Sequence, residues 1–343
     1  DRGSVFSIPV SLGTTGIAYN VEAVKSVIGE EPMDWSYLWE HKEKLRITLV
    51  NDPREVIGMA LHILGHSYNT KETEKIEQAF QKLQEFRKSI YEYLGTGKDA
   101  VFELMDAVLT SPSISSYVSL SMNPLFRRKW SSIYEGLRDS RPVRAKLMKL
   151  MVQEIPTEEQ PCLAGDNSVW LRPDAETLKE RGFHHGKDES IGVGQSYSTL
   201  AWIPEASGSW ALPIKHERIT SFETPVSKAA FQLKQVTKQL SVRPLAVYDR
   251  GYGNASFVKA TANIEADLLL RLASNRCVWG VPPAYSGRGA PCKHGHKFKL
   301  NAPETWAGAA TTIEITDPKI GRVRVTYWRD FHFRTSPERP MQI

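Results

Sequence analysis

From residue 161 onward the apolar pattern follows one order that few folds accommodate. Cys162-Leu163-Ala164-Gly165-Asp166 is a short strand candidate ending in an acid. Residues 191–204 and 209–214 read as two further strands, separated by Ala206-Ser207-Gly208. Residues 224–240 carry helical spacing, with Thr224 and Pro225 as cap and first-turn signals. Leu245-Ala246-Val247-Tyr248 is then a compact strand, stopped by Asp249-Arg250-Gly251-Tyr252-Gly253-Asn254. A helix over 255–264 and a strand over 268–272 complete the series. Consecutive strands, then a helix returning to a parallel strand, specify a mixed α/β layer.

If the first strand and the one after the helical crossover are neighbours, Asp166 and Asp249 converge at one end of the sheet. Open α/β sheets form their ligand sites at such strand ends. Two converging carboxylates do not stay ionised side by side without a cation. Mg²⁺ is the natural hard partner, because it needs only one or two protein carboxylates and completes its shell with water and phosphate. Two such ions about 4 Å apart activate a nucleophile and stabilise a leaving oxygen at phosphorus. Turn chemistry supplies another reading: Asp166 caps a turn, and Asp249 opens an Asp-Arg-Gly turn. Spacing alone leaves both open.

Before residue 160 the chain reads differently. Leu45-Arg46-Ile47-Thr48-Leu49-Val50 is strand-like and stops at Asn51-Asp52-Pro53. A helix over 54–64 follows, then a longer one with Ile76, Ala79, Phe80, Leu83, Phe86, Ile90 and Leu94 on one face and Gly95 at its C-terminal end. Residues 99–109 and 141–152 are also helical. Beyond 272, the runs 298–300, 312–315 and 322–328 form a β-rich, basic segment.

Charge divides along the same line. The whole chain is +5, yet residues 1–86 hold 9 Lys+Arg against 13 Asp+Glu, whereas 271–343 hold 12 against 5. An excess of cations at one end suits phosphate binding, and an acidic start suits cations. With 343 residues, 41% of them apolar, the expectation is about two globular domains. No apolar run approaches the length of a membrane span. Cys162, Cys277 and Cys292 are odd in number and far apart, which points to a reducing compartment. Cys292-Lys293-His294-Gly295-His296 matches no zinc template and reads as a basic loop among Lys293, Lys297 and Lys299. His184-His185 reads as a polar turn, and Trp170, Trp202 and Trp210 as core. Trp279 and Tyr285, near Arg276, Arg288 and Lys293, are candidates for stacking on a base.

Around Leu163-Ala164-Gly165-Asp166-Asn167-Ser168-Val169-Trp170 and the Asp249 segment, the sequence resembles insertion-sequence transposases of the DDE type. Phe183-His184-His185, Gly194-Gln195-Ser196-Tyr197-Ser198-Thr199, Leu212-Pro213 with His216-Glu217-Arg218, and Leu270-Arg271-Leu272-Ala273-Ser274-Asn275-Arg276 extend the likeness over about residues 86–343. The resemblance implies a ribonuclease H-like mixed sheet with a β-rich insertion, binding Mg²⁺ at a two-metal site and cutting and rejoining transposon and target DNA. Its first two acids fall on Asp166 and Asp249, as catalytic residues and metal ligands. Arg250, Arg276, Arg288, Lys293, Lys297 and Lys299 are the expected DNA contacts, and a homo-oligomer on DNA is the expected assembly. The family's third acid has no counterpart, since Glu304, Glu314 and Glu338 lie in the β-rich segment; the chain is expected to stop short of it.

The first 85 residues resemble a different family. Gly13-Thr14-Thr15-Gly16-Ile17 with Tyr19-Asn20, Asn51-Asp52-Pro53-Arg54-Glu55-Val56 and Leu64-Gly65 look like a spermidine/putrescine-binding protein of an ABC importer. That resemblance implies a fragment of a periplasmic-binding-protein-like α/β lobe, with Asp52 and Glu55 as contacts to polyamine ammonium groups. The expected division is therefore 1–85, a helical 86–160 and a catalytic 161–343, with the two likenesses meeting inside the helix near 83–88. The expected location is the cytoplasm, on DNA, as the chain opens at Asp1 without a leader; the polyamine alternative places it in the periplasm.

Overall fold

A computed structural model describes residues 10–11, 14–15, 57, 60–61, 64–67, 70–111, 113–185, 191–204, 211–317 and 321–343. The chain divides into two compact units, Asp1–Pro156 with Ser207–Trp210, and Thr157–Ala206 with Ala211–Ile343.

The first unit is mostly helical where described. Val10–Ser11 (β1) pairs antiparallel with Thr14–Thr15 (β2). Among the described residues five helices follow: α1 (Thr73–Tyr93), α2 (Lys98–Thr110), α3 (Tyr117–Ser121), α4 (Ser131–Asp139) and α5 (Arg144–Gln153). Helix α1 runs unbroken through 83–88. It buries Ala79 against Ala60 and Leu61, with Leu83 packed beside them. Phe80, which the spacing assigns to the same face, is 54% exposed because it flanks the narrow stripe. A second cluster joins Leu104 and Ala107 of α2 to Leu120, Phe126 and Ile133. Buried Glu103 is neutralised beside it by Arg127, whose backbone N–H and Nη2 both donate at 3.1 Å.

The second unit is built on a mixed sheet. Its centre is β3 (Cys162–Leu171), which pairs antiparallel along its length with β5 (Ile191–Ile203). On the other side it pairs parallel with β7 (Leu245–Tyr248), over Cys162 to Gly165 alone, and β7 pairs parallel with β8 (Asp267–Leu270). The far edge of β5 is shared between β4 (Gly182–His185) and β6 (Leu212–Ile219). The crossover from β6 to β7 is α6 (Pro225–Thr237), started by a capping box between Thr224 and Ser227. Fully buried Gln232 ties α6 to β5, accepting from Ser198 Oγ at 2.7 Å and donating to its carbonyl at 3.1 Å.

Three local expectations are corrected. The first strand has ten residues rather than five, so Asp166 lies partway along it and not at its end. The reason is that β5 supplies ladder partners through Leu171, although β7 stops opposite Gly165. His184 and His185 belong to β4 and not to a turn, because they pair with Gly192 and Ile191. Trp202 is buried, but Trp170 is 45% exposed with the Arg172 guanidinium 4.0 Å above its ring. Trp210 lies outside the described residues.

A smaller antiparallel sheet completes this unit, in the order β10 (Lys297–Lys299), β9 (Cys277–Trp279), β13 (Phe331–Phe333), β14 (Ser336–Met341). Its core of Val278, Phe298, Phe331 and Phe333 packs on Ala255 and Val258 of α7 (Ala255–Ala260). The strands β11 (Thr311–Asp317) and β12 (Gly321–Tyr327) form a separate ribbon.

Candidate active site

The parallel ladder between β3 and β7 ends at the rung Gly165↔Tyr248. The next residue on each strand is an aspartate, Asp166 and Asp249. Paired strands run about 5 Å apart, so the register sets the two acids side by side where the ladder stops. Asp166 keeps its partner Thr199 on β5 and has none on the β7 side. One oxygen of each carboxylate is held by a backbone N–H: Asn167 donates to Asp166 Oδ1 at 2.7 Å, and Gly251 to Asp249 Oδ1 at 2.8 Å. Both aspartates are exposed, and neither is ion-paired with a described residue. Partial desolvation, with a contribution from the Asp249 charge, raises the Asp166 carboxyl above its ordinary range against the Asn167 hydrogen bond.

Beneath the acids lies an aromatic floor. Tyr248, Tyr252 and Phe257 are 2%, 1% and 0% exposed, with ring centroids 4.7–5.2 Å apart. The hydroxyls of Tyr248 and Tyr252 are buried without a hydrogen-bond partner among the described residues. Burial, followed by the charges of Asp166 and Asp249, pushes the Tyr252 phenol upward, so this ring senses both acids. Two glycines make the arrangement fit. A Cβ on Gly165 would stand 2.0 Å from Cε1 of Tyr248, so only glycine lets that ring lie across β3. A Cβ on Gly253 would stand 2.4 Å from the Arg271 carbonyl, where the Asp249 turn crosses the end of β8.

The expected basic residues fall into two places. Arg250 and Arg276 line one groove beside the Asp249 turn, together with Arg271. Arg288 and Lys293 are exposed between β9 and β10, and Lys297 and Lys299 flank buried Phe298 on β10. Trp279 already has Lys297 Nζ over its ring at 5.7 Å and His294 6.0 Å away, whereas Tyr285 is 57% exposed. Asp52 and Glu55 lie outside the described residues. Glu304 is in a short 3-10 helix, Glu314 is clamped by Arg322 and Arg324 at 2.6 and 2.7 Å, and Glu338 accepts from Ser336. Among the described residues no three His, Cys, Asp or Glu side chains gather as a metal-binding group. Spacing assigned no role to Tyr252 or Arg271; the signals for them were the aromatic within the Asp-Arg-Gly turn and the arginine just past the β8 run.

A family model for DDE superfamily endonucleases matches residues 90–332. The chain belongs to that superfamily. A shorter similarity is to polyamine-binding proteins. The spermidine/putrescine-binding periplasmic protein 1 of Haemophilus influenzae is 33% identical over 93 residues, which is 27% of this chain and 25% of that protein. The corresponding Escherichia coli protein is 37% identical over 92 residues, 26% of this chain and 25% of the relative. The chain thus spans about a quarter of the length of these relatives. Among solved structures, the crystal structure of the Mos1 strand transfer complex aligns over 67% of this chain and 79% of its own, at 11% identity and a TM-score of 0.21. No helix among the described residues is long and apolar enough to cross a membrane.

Proposed function

We propose that this chain carries the ribonuclease H-like core of a DNA transposase, with Asp166 and Asp249 as metal ligands for phosphoryl transfer. The observation that carries the reading is the register: two acids one residue past the last rung of a parallel ladder, in a chain of the DDE endonuclease superfamily. The donor set suits a hard divalent ion. Each carboxylate spends one oxygen on a backbone N–H and keeps the other free, and no described cation neutralises the pair. Mg²⁺ is satisfied by one or two such carboxylates with water and phosphate oxygens. When bound, the metal supplies activation of the attacking water or 3′-hydroxyl and stabilises the leaving oxygen.

The chain's own part is positioning. Asn167 and Gly251 orient the carboxylates, and the Tyr248–Tyr252–Phe257 floor keeps the two strand ends from shifting. The basic residues around 271–299 face the phosphate backbone of transposon and target DNA, in the cytoplasm. On this reading residues 161–343 are the catalytic region, 86–160 a helical region before it, and 1–85 a polyamine-binding-protein fragment joined within α1. Polyamine binding by that fragment is the second reading, favoured by the 33–37% identity to polyamine-binding proteins and resting on Asp52 and Glu55.

Calorimetric titration with Mn²⁺ tests the principal reading. Saturable binding by the wild-type chain, weakened tenfold or more in both Asp166→Asn and Asp249→Asn, is the expected result. Equal binding by all three proteins would overturn it.

A further inference from the structure

Between β9 and β10 the chain leaves the small sheet as a loop, and one side-chain contact ties that loop down. Every residue from Val281 to Lys293 is exposed. The two limbs meet at a neck, where the Gly280 N–H donates to the His296 carbonyl and the Gly295 N–H to the Gly280 carbonyl, both at 2.9 Å. A Cβ on Gly295 would stand 1.9 Å from the Val281 carbonyl oxygen, so only glycine lets the limbs cross this closely. His294 is the first partly buried residue of the returning limb, and its Nδ1 lies 2.9 Å from Nε2 of His332. His332 is 4% exposed, in the middle of β13 and opposite Trp279. Among the described residues this is the hydrogen bond that joins 281–294 to the rest of the chain; the other one in the loop, from the Tyr285 hydroxyl to the Gly289 carbonyl, is internal.

Two facing imidazole nitrogens form a hydrogen bond only while one of them lacks a proton. The neutral pair and the singly protonated pair both meet that condition. The doubly protonated pair sets two N–H groups and two positive charges against each other. The surroundings resist the second proton. Burial first, and then the His294 charge, lower the His332 imidazole against an upward pull from Glu338 on β14. Glu338 is itself engaged, accepting from Ser336 and acted on by the charges of Lys259 on α7 and Arg339 on its own strand. The loop places Lys293 next to His294, β10 places Lys297 Nζ 5.7 Å from the Trp279 ring centre, and β9 sets the uncharged Trp279 across from His332. Between 281 and 296 the loop has no Asp or Glu to neutralise a histidinium.

We propose that the His294–His332 pair is a proton-released latch, holding the neck of the basic 281–293 loop against β13 near neutral pH and freeing it in mild acid. With the loop lifted, both rings reach water and titrate near the ordinary value of about 6.5. The lifted form then takes up a proton that the latched form refuses. Latching is therefore at full strength above about 6.5 and weakens as pH falls below it. The device does not depend on the function proposed above.

Hydrogen exchange on the full chain reads the latch at its neck. The Gly280 and Gly295 amides are the reporters, and the amide of fully buried Val278 in β9 is the control for wider opening. Protection is taken relative to each amide's free-peptide rate at the same pH. Between pH 7.5 and 5.5 it should fall about tenfold at Gly280 and Gly295, the effect of one extra proton held by the open form over about one pH unit, and stay constant at Val278. In His294→Gln, whose side chain does not titrate, protection at the neck should be flat with pH. Imidazole ¹⁵N NMR supplies a second arm: wild type should show two coupled steps, and loss of the His294 charge in His294→Gln should leave His332 with a single step at higher pH. Neck protection independent of pH in wild type, an equal pH response in His294→Gln, or an unshifted His332 step in that variant overturns the latch. A parallel loss at Val278 is general acid unfolding and overturns it as well.

Discussion

Replacing Gly165 by alanine isolates the contact that lets the aspartate-bearing strand lie against its parallel neighbour. The added Cβ would stand 2.0, 2.5 and 2.7 Å from Cε1, Cζ and Cδ1 of Tyr248. Carbon atoms are comfortable near 3.5 Å, so the ring would have to retreat by about 1.5 Å. It has nowhere to go, being 2% exposed with Phe257 and Tyr252 rings 4.7 and 5.0 Å away. Overpacking of this kind costs about 1–3 kcal/mol, and three blocked ring atoms place this site near the upper figure. For a unit of this size about 3 kcal/mol corresponds to a drop in Tm of roughly 6–12 °C. Thermal unfolding of Gly165→Ala, Tyr248→Ala and the double variant gives the decisive comparison. Tyr248→Ala alone removes a buried ring at about 3–5 kcal/mol. In that background Gly165→Ala should be neutral, or stabilising by a few tenths of a kcal/mol, since alanine loses less backbone freedom than glycine. An equal cost in both backgrounds would refute the steric account.

Two further outcomes are expected. Glu217, 18% exposed at its side chain, meets Lys215 Nζ at 2.8 Å and Lys228 Nζ at 3.4 Å. Burial raises its carboxyl, but the Lys215 hydrogen bond and the two lysine charges outweigh that and hold it below the ordinary range. A depressed folded value contributes stability above the unfolded pKa of about 4.3 and loses it as pH falls through the folded value. Glu217→Gln should therefore cost about 3 kcal/mol in urea denaturation at pH 7 and much less at pH 3; an equal cost at both would contradict the pairing. Separately, calorimetry with spermidine tests the first segment: saturable heat abolished by Asp52→Ala supports the polyamine reading, and its persistence in that variant would move the binding elsewhere.

Much of the mixed-sheet layer is legible in the linear pattern because its signals are local. The Thr224-Pro225 start of α6 is a capping box that any four residues reveal, and the run ending at Tyr248 is stopped by its own Asp-Arg-Gly turn. Gly95, with φ of 73° just past α1, shows the same local logic. Superfamily membership was legible as well, since it rests on motifs spread over most of the chain.

What escaped the linear pattern depended on partners far away in sequence. The linear pattern ends β3 at Asp166, whereas its outer half, from Asp166 to Leu171, is held by pairing with β5 and not by apolar alternation of its own. The apolar neighbours of Trp170 suggest a core position, yet burial on β3 ends at Gly165, where β7 stops covering it. The order of residues therefore determined which acids, arginines and turns are present and which elements carry them. Tertiary structure decided that Asp166 and Asp249 share the end of one ladder and that Arg250, Arg271 and Arg276 share one groove. Strand register and loop approach are long-range agreements between segments, and no single segment contains both sides of such an agreement.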